Sequence, residues 1–384
     1  MFGTGGSRFQ VAKIRGIPIF VTWGWIFFVA FFAYAWYSDY STQVAPSDAL
    51  RLTVIAGIVF FGGILLHEGA HAIAARSFDL PVRAITLVFW GGATETRSWR
   101  AGPLADFIVS AAGPGTTAII GLGCVAVAST MAPGDTREVL ESLGKLNLLF
   151  AVLNALPGFP LDGGRMLMAT AWGVSKNKAT ALRVAGAGSM LIGVGLIAYA
   201  VLSFTTANGS FGIFFGFVGF FMVSAGRQLP ARANLYLQLS KGKVRDAMRP
   251  LGAAVPANVT VYDATERWLR ADPARTFSVV DDGRTVGTIS LEGASHTTAG
   301  RPVREAMMPL RDASSVGADE SLSDALEWVA GHEARVEDAT GTVGVIDVGD
   351  IDRWLRMHWS TGTYVERPAG FVPQAGAVPP RPDV

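Results

Sequence analysis

The chain has 384 residues, of which 50% are apolar and 16% charged, well below the roughly 25% charge of an ordinary soluble protein. A formal net charge of +1 argues against a general nucleic-acid binder, and a single cysteine, Cys124, excludes an intrachain disulfide framework. The near-neutrality conceals a split: residues 1–243 carry 18 basic and 10 acidic side chains, whereas residues 244–384 carry 14 and 21. The two parts are therefore expected in different solvents, the lipid bilayer and water.

A spanning helix takes about 20 mostly apolar residues. Residues 17–37 meet this without one charge and are too long for a signal-peptide core, so they read as a retained anchor. Apolar stretches follow at 50–76, 103–131, 143–156, 181–204 and 211–229, for six expected spans. The fourth is short and holds Lys145 and Asn154. Basic residues gather before the first span (Arg8, Lys13, Arg15) and after the second (Arg76, Arg83), fourth (Arg165, Lys176) and sixth (Arg227, Lys241). That alternation predicts a multi-pass protein of the cell membrane with both termini cytoplasmic. Between spans two and three, residues 81–96 alternate like strands and include Trp90-Gly91-Gly92. They predict a hairpin dipping into the membrane edge, where such backbone must be buried in protein or line a water-filled cavity. The alternative is an ordinary surface hairpin.

His67-Glu68-Gly69-Ala70-His71 falls inside the second span. Histidines at i and i+4 share one helical face, so both imidazoles can reach one metal, and Glu68 beside them can act as general base. Ionisable groups are costly in hydrocarbon and usually functional there; a helix–helix hydrogen-bond cluster is the structural alternative. Zinc needs a third protein ligand. His296, His332 and His358 lie in the acidic part of the chain. The better supplier is Asn154-Ala-Leu-Pro157-Gly-Phe-Pro160-Leu161-Asp162-Gly163-Gly164-Arg165. Pro157 and Pro160 end the fourth span, and Gly163-Gly164 permit a tight turn that presents Asp162. The alternative for Asp162 is the N-cap of a helix over residues 163–174.

The HExxH pentad and the N-x-x-P-x-x-P-L-D-G stretch together resemble the site-2 protease family of intramembrane zinc metalloproteases, over about residues 10–230. The resemblance implies a mainly α, polytopic membrane domain with about six transmembrane helices and a membrane-edge β-hairpin. It implies one Zn2+ per chain on His67, His71 and Asp162, with Glu68 as catalytic base. Asn154 matches the asparagine that positions substrate or stabilises the oxyanion. Trp90, Gly91 and Gly92 fall where the family's hairpin receives substrate as an added strand. The implied reaction is hydrolysis of a peptide bond in a membrane-spanning protein, such as a membrane-held regulator of transcription.

Beyond residue 243 the chain repeats itself. Val244-Arg-Asp-Ala-Met-Arg-Pro250 returns as Val303-Arg-Glu-Ala-Met-Met-Pro309, an offset of 59 residues. Each copy continues with a helical stretch (263–271, 321–332) and a β-rich run (277–290, 342–347) holding a turn glycine, Gly287 or Gly344. The repeat resembles a tandem pair of cystathionine-β-synthase (CBS) domains. The expected division is thus a transmembrane metalloprotease domain at 1–232, a linker at 233–243, a cytoplasmic α/β CBS pair at 244–360 and a disordered tail at 361–384. CBS pairs bind adenosine nucleotides through a Ser or Thr followed three residues later by Asp, and they commonly dimerise. Copy one keeps Ser290 but has Gly293; copy two keeps Asp350 but has Asp347. Each is half a nucleotide site. A CBS-gated membrane transporter or channel is the rival for this architecture. It expects polar residues spread along several spans, whereas here they gather at His67, Glu68, His71, Asn154 and Asp162.

Overall fold

The computed structural model describes residues 8–80, 82–88, 91–96, 102–203, 209–273, 275–309, 315–329 and 333–358. Trp90, His332 and the expected tail lie outside them. The chain divides into two compact units, Met1–Ala233 and Asn234–Val384.

In the first unit, β1 (Arg8–Ile14) and β2 (Ile17–Thr22) form an antiparallel hairpin that turns at Arg15-Gly16. The expected first span is therefore not helical over residues 17–22. Ile17, Ile19 and Val21 alternate and are buried, a strand pattern that uniform hydropathy hides. Helix α1 (Trp23–Tyr40) starts only at Thr22, whose hydroxyl accepts the Trp25 N–H at 3.4 Å and donates to the Leu87 carbonyl at 3.2 Å. The expected hairpin between spans two and three is present as β3 (Val82–Val88) and β4 (Gly91–Thr96). Because β2 runs parallel to β3, the N-terminal hairpin extends it into one sheet of order β1-β2-β3-β4.

Six further helices follow: α2 (Pro46–Arg76), α3 (Pro103–Thr130), α4 (Asp135–Asn154), α5 (Asp162–Ser175), α6 (Lys178–Ser203) and α7 (Gly209–Leu239). Among the described residues, four helices (α2, α3, α6 and α7) are long and apolar enough to cross a membrane. Their outward faces stay apolar, as Ile58 and Leu191 show at 69% and 75% exposure, which suits a lipid solvent. Two expected spans fall short. The last turn of α1 is Tyr37-Ser38-Asp39-Tyr40, and α4 holds Asp135, Arg137, Glu138, Glu141 and Lys145. Gly186 and Gly193 bring α6 against α7, where a Cβ would lie 3.1 Å from the Gly226 carbonyl and 2.8 Å from that of Gly219. Gly195, on the same helix, faces open space. Helix α7 continues through the first part of the expected linker, to Leu239.

The second unit contains both copies of the repeat. The first supplies α8 (Val244–Ala247), β5 (Arg249–Pro250), β6 (Gly252–Pro256), α9 (Val261–Ala264) with a π-helical turn (Thr265–Leu269), β7 (Phe277–Asp281), β8 (Arg284–Ile289) and α10 (Leu291–Ser295). The second supplies α11 (Val303–Ala306), β9 (Met308–Pro309), β10 (Ser315–Gly317), α12 (Leu322–Val329), β11 (Ala334–Asp338), β12 (Gly341–Ile346) and α13 (Val348–His358). The sheets run β6-β7-β8-β9 and β10-β11-β12-β5, so each takes its last strand from the other copy. This corrects the expectation for the two glycines, which lie within strands β8 and β12 rather than in turns. A Cβ on Gly287 would meet the Met308 carbonyl at 2.7 Å, and one on Gly344 the Arg249 carbonyl at 2.7 Å. Only glycine lets the exchanged strand pass.

Candidate metal centre

Helix α2 is apolar along most of its length, and His67, Glu68 and His71 interrupt it in its last third. Both imidazoles face α3. His71 Nδ1 lies 2.6 Å from the Val109 carbonyl, which can only accept, so Nδ1 carries the proton. His67 Nδ1 lies 2.9 Å from the Thr117 hydroxyl, whose own proton is directed to the Gly113 carbonyl at 3.2 Å. The hydroxyl therefore accepts from His67. Both Nδ1 atoms are donors, and the lone pairs of both Nε2 atoms are left to ligate.

The third donor comes from the start of α5. The preceding loop folds back tightly: a Cβ on Gly163 would lie 2.2 Å from the Leu156 carbonyl, and one on Gly164 would lie 2.3 Å from the Phe159 nitrogen. Ser189 of α6 pins this loop by accepting the Phe159 N–H at 2.7 Å. Asp162 is the first helical residue and Leu161 the N-cap, with no side-chain capping bond. The N-cap alternative for Asp162 is thus not the one adopted. Its carboxylate Oδ2 instead lies 3.2 Å from His67 Nε2 and 3.5 Å from His71 Nε2.

The two Nε2 atoms are themselves 3.2 Å apart. Zinc bonds of about 2.0–2.2 Å in tetrahedral array put neighbouring ligand atoms roughly 3.4 Å apart. Two imidazole nitrogens and a carboxylate oxygen at 3.2, 3.2 and 3.5 Å therefore fit the spacing of three zinc ligands. Gly113 keeps the space clear. A Cβ there would lie 2.3 Å from His71 Nε2 and 2.7 Å from His67 Nε2. The Ala112-Gly113-Pro114 sequence gives no sign of this role for Gly113. Nor does the sequence give any sign of Thr117 or of the Val109 carbonyl, the latter because a backbone acceptor leaves no trace in residue identity.

The other expected site residues fall as follows. Glu68 is buried beside His67, at 6% exposure. Asn154 is the half-buried last residue of α4. Gly91 and Gly92 begin β4 opposite Val88 and Leu87; Trp90 lies outside the described residues. In the second unit, the two half-sites are engaged internally. Ser290 caps α10 by accepting the Gly293 N–H at 3.2 Å. Asp350 accepts from Arg249 Nε at 2.9 Å, while the same guanidinium reaches Glu333 at 2.8 Å and Asp347 at 2.9 Å.

The profile of Peptidase family M50 matches residues 129–199, a stretch that includes Asn154 and Asp162. The chain is similar to the "Putative zinc metalloprotease" Rip3 of Mycobacterium tuberculosis, 26% identical over 364 residues that cover 91% of this chain and 93% of that protein. A protein of the same description from Synechocystis sp., sll0528, is 25% identical over 299 residues, covering 76% and 78%. A solved site-2 protease from Methanocaldococcus jannaschii aligns with a TM-score of 0.41 at 22% identity, over 58% of this chain and 95% of that one. With apolar helices long enough to cross a membrane, a donor set suited to zinc and a Peptidase family M50 match over residues 129–199, the chain is a membrane zinc metallopeptidase.

Proposed function

We propose that the protein is an intramembrane endopeptidase that hydrolyses a peptide bond in membrane-spanning protein substrates, with His67, His71 and Asp162 holding one zinc ion. The observation that carries this reading is the meeting of three ligand atoms at near-tetrahedral spacing beside Glu68. Zinc, when bound, supplies a water of lowered pKa and polarises the scissile carbonyl. Glu68 takes the proton of the attacking water and delivers it to the leaving amine nitrogen as the C–N bond breaks. Asn154 holds the substrate carbonyl or the developing oxyanion. A helical substrate hides its peptide groups and has to unwind before cleavage. The β4 edge at Gly91 and Gly92, which follow Trp90 in the sequence, takes the unwound segment as an added strand. A membrane-held regulator of transcription is a substrate of the right kind.

The proposed topology keeps six spans, the less apolar α1 and α4 crossing together with α2, α3, α6 and α7, with both termini in the cytoplasm and residues 244–360 forming a cytoplasmic CBS pair that dimerises and regulates cleavage. The strand exchange between the two copies supports an obligate pair rather than two independent modules. The decisive experiment uses purified full-length protein with a single-span substrate. Glu68→Gln should keep zinc and lose cleavage by roughly 100- to 10,000-fold, because an amide cannot accept the proton. Asp162→Ala should weaken zinc binding. Cleavage by Glu68→Gln near the wild-type rate, or undiminished zinc affinity in Asp162→Ala, would overturn the corresponding role.

A further inference from the structure

Helix α5 carries more than the third donor. One turn beyond Asp162, Arg165 Nη2 lies 2.7 Å from Asp106 Oδ1 of α3, and the Asp106 side chain is wholly buried, at 0% exposure. On α3, Asp106, Val109, Gly113 and Thr117 recur at i, i+3, i+7 and i+11, which places them along one helical face. The Val109 carbonyl and the Thr117 hydroxyl orient His71 and His67, and Gly113 makes room between them. Asp106 is the fourth member of this stripe. It grips the helix that presents Asp162.

We propose that the Asp106–Arg165 ion pair is a positioning device for the metal centre: α3 orients both histidines directly and sets Asp162 by fixing the rotation of α5. The geometry makes such a device necessary. A loop of irregular backbone, not a continuous helix, leads into Asp162. A carboxylate oxygen sits about 5 Å from its helix axis, so turning α5 by about 10° displaces it by nearly 1 Å. Ligand distances in a working metal site hold to about 0.2 Å. A guanidinium locked on a buried carboxylate resists such a rotation. Removing Arg165 also leaves the buried Asp106 carboxylate without that guanidinium.

The inference rests on His67, His71 and Asp162 being the zinc ligands. The test compares full-length wild type, Asp106→Asn, Arg165→Lys and the double variant in detergent, reading zinc affinity by competition with a chromophoric chelator. Circular dichroism of the metal-free forms checks folding. Each single variant should bind zinc roughly 10- to 100-fold more weakly, the range for groups that orient ligands. The double variant should be no weaker than the weaker single variant, because both changes break one linkage. In cleavage assays at saturating zinc, kcat should fall while KM stays near wild type. A purely structural pair would lower the melting temperature and leave zinc affinity alone. Folded Asp106→Asn with zinc affinity within twofold of wild type would overturn the proposal. Arg165→Lys, which keeps the charge but loses the planar fork, decides the matter by the same criterion should Asp106→Asn fail to fold. His67→Ala separates the two levels: if it keeps full zinc affinity, the ligand reading itself is wrong. If it loses zinc while the Asp106 and Arg165 variants do not, only the positioning role fails.

Discussion

Replacing Gly113 by alanine adds one methyl group to the middle of α3, where alanine favours the helix by about 1 kcal/mol over glycine. On secondary-structure grounds alone the variant should fold at least as well as wild type. The added Cβ, however, would lie 2.3 Å from His71 Nε2, 2.6 Å from His71 Cε1 and 2.7 Å from His67 Nε2. Ordinary contact is about 3.5 Å, so the His71 ring must retreat by more than about 1 Å. Its Nδ1 hydrogen bond to the Val109 carbonyl, 2.6 Å long, gives way with it. The displacement is about five times the roughly 0.2 Å latitude of a metal site, so one imidazole leaves the coordination sphere. The expected result is a loss of more than about 100-fold in zinc affinity, with the circular dichroism of the metal-free protein unchanged. Zinc content by mass spectrometry and chelator competition read the first quantity directly. Gly113→Ala that holds one zinc per chain at wild-type affinity would show that the histidines do not converge on the space beside α3, and the geometry argued above would be wrong.

Two other substitutions test separate parts of the molecule. Thr117→Val keeps shape but removes the acceptor of His67 Nδ1; zinc affinity should fall roughly 10- to 100-fold while helicity is retained, measured by the same competition assay. An unchanged affinity would show that Thr117 does not orient His67. In the second unit, Arg249→Met leaves Asp347, Glu333 and the fully buried Asp350 with one guanidinium fewer. Breaking a buried pair costs about 3 kcal/mol, which should raise protease cutting within residues 244–358 roughly 100-fold. Cutting at the wild-type rate would mean that the cluster does not hold the exchanged strand β5 in place.

Several features were legible because they depend on local pattern. The i, i+4 spacing of His67 and His71 put both rings on one helical face whatever surrounds them, and the apolar stretches marked α2, α3, α6 and α7 through composition. Pro157, Pro160 and the glycine pair placed Asp162 at a chain reversal, and the 59-residue repeat announced two related copies. The start of the first span was placed too early because residues 17–21 carry no polar side chain. A run of that kind suits a strand as well as a helix, and its pairing with β3, more than 60 residues away, decided the outcome.

Residue identity alone determined which donors exist and which pair shares a helical turn. Only the tertiary structure decided that a carboxylate about 90 residues downstream would lie 3.2 Å from His67, that Thr117 and the Val109 carbonyl would fix both tautomers, and that Gly113 would clear the space between them. It likewise decided that β5 and β9 would each complete the other copy's sheet. The physical reason is the same throughout. Periodicity and turn chemistry act over a few residues, whereas the azimuth of one helix against another is set by packing and buried hydrogen bonds between segments remote in sequence.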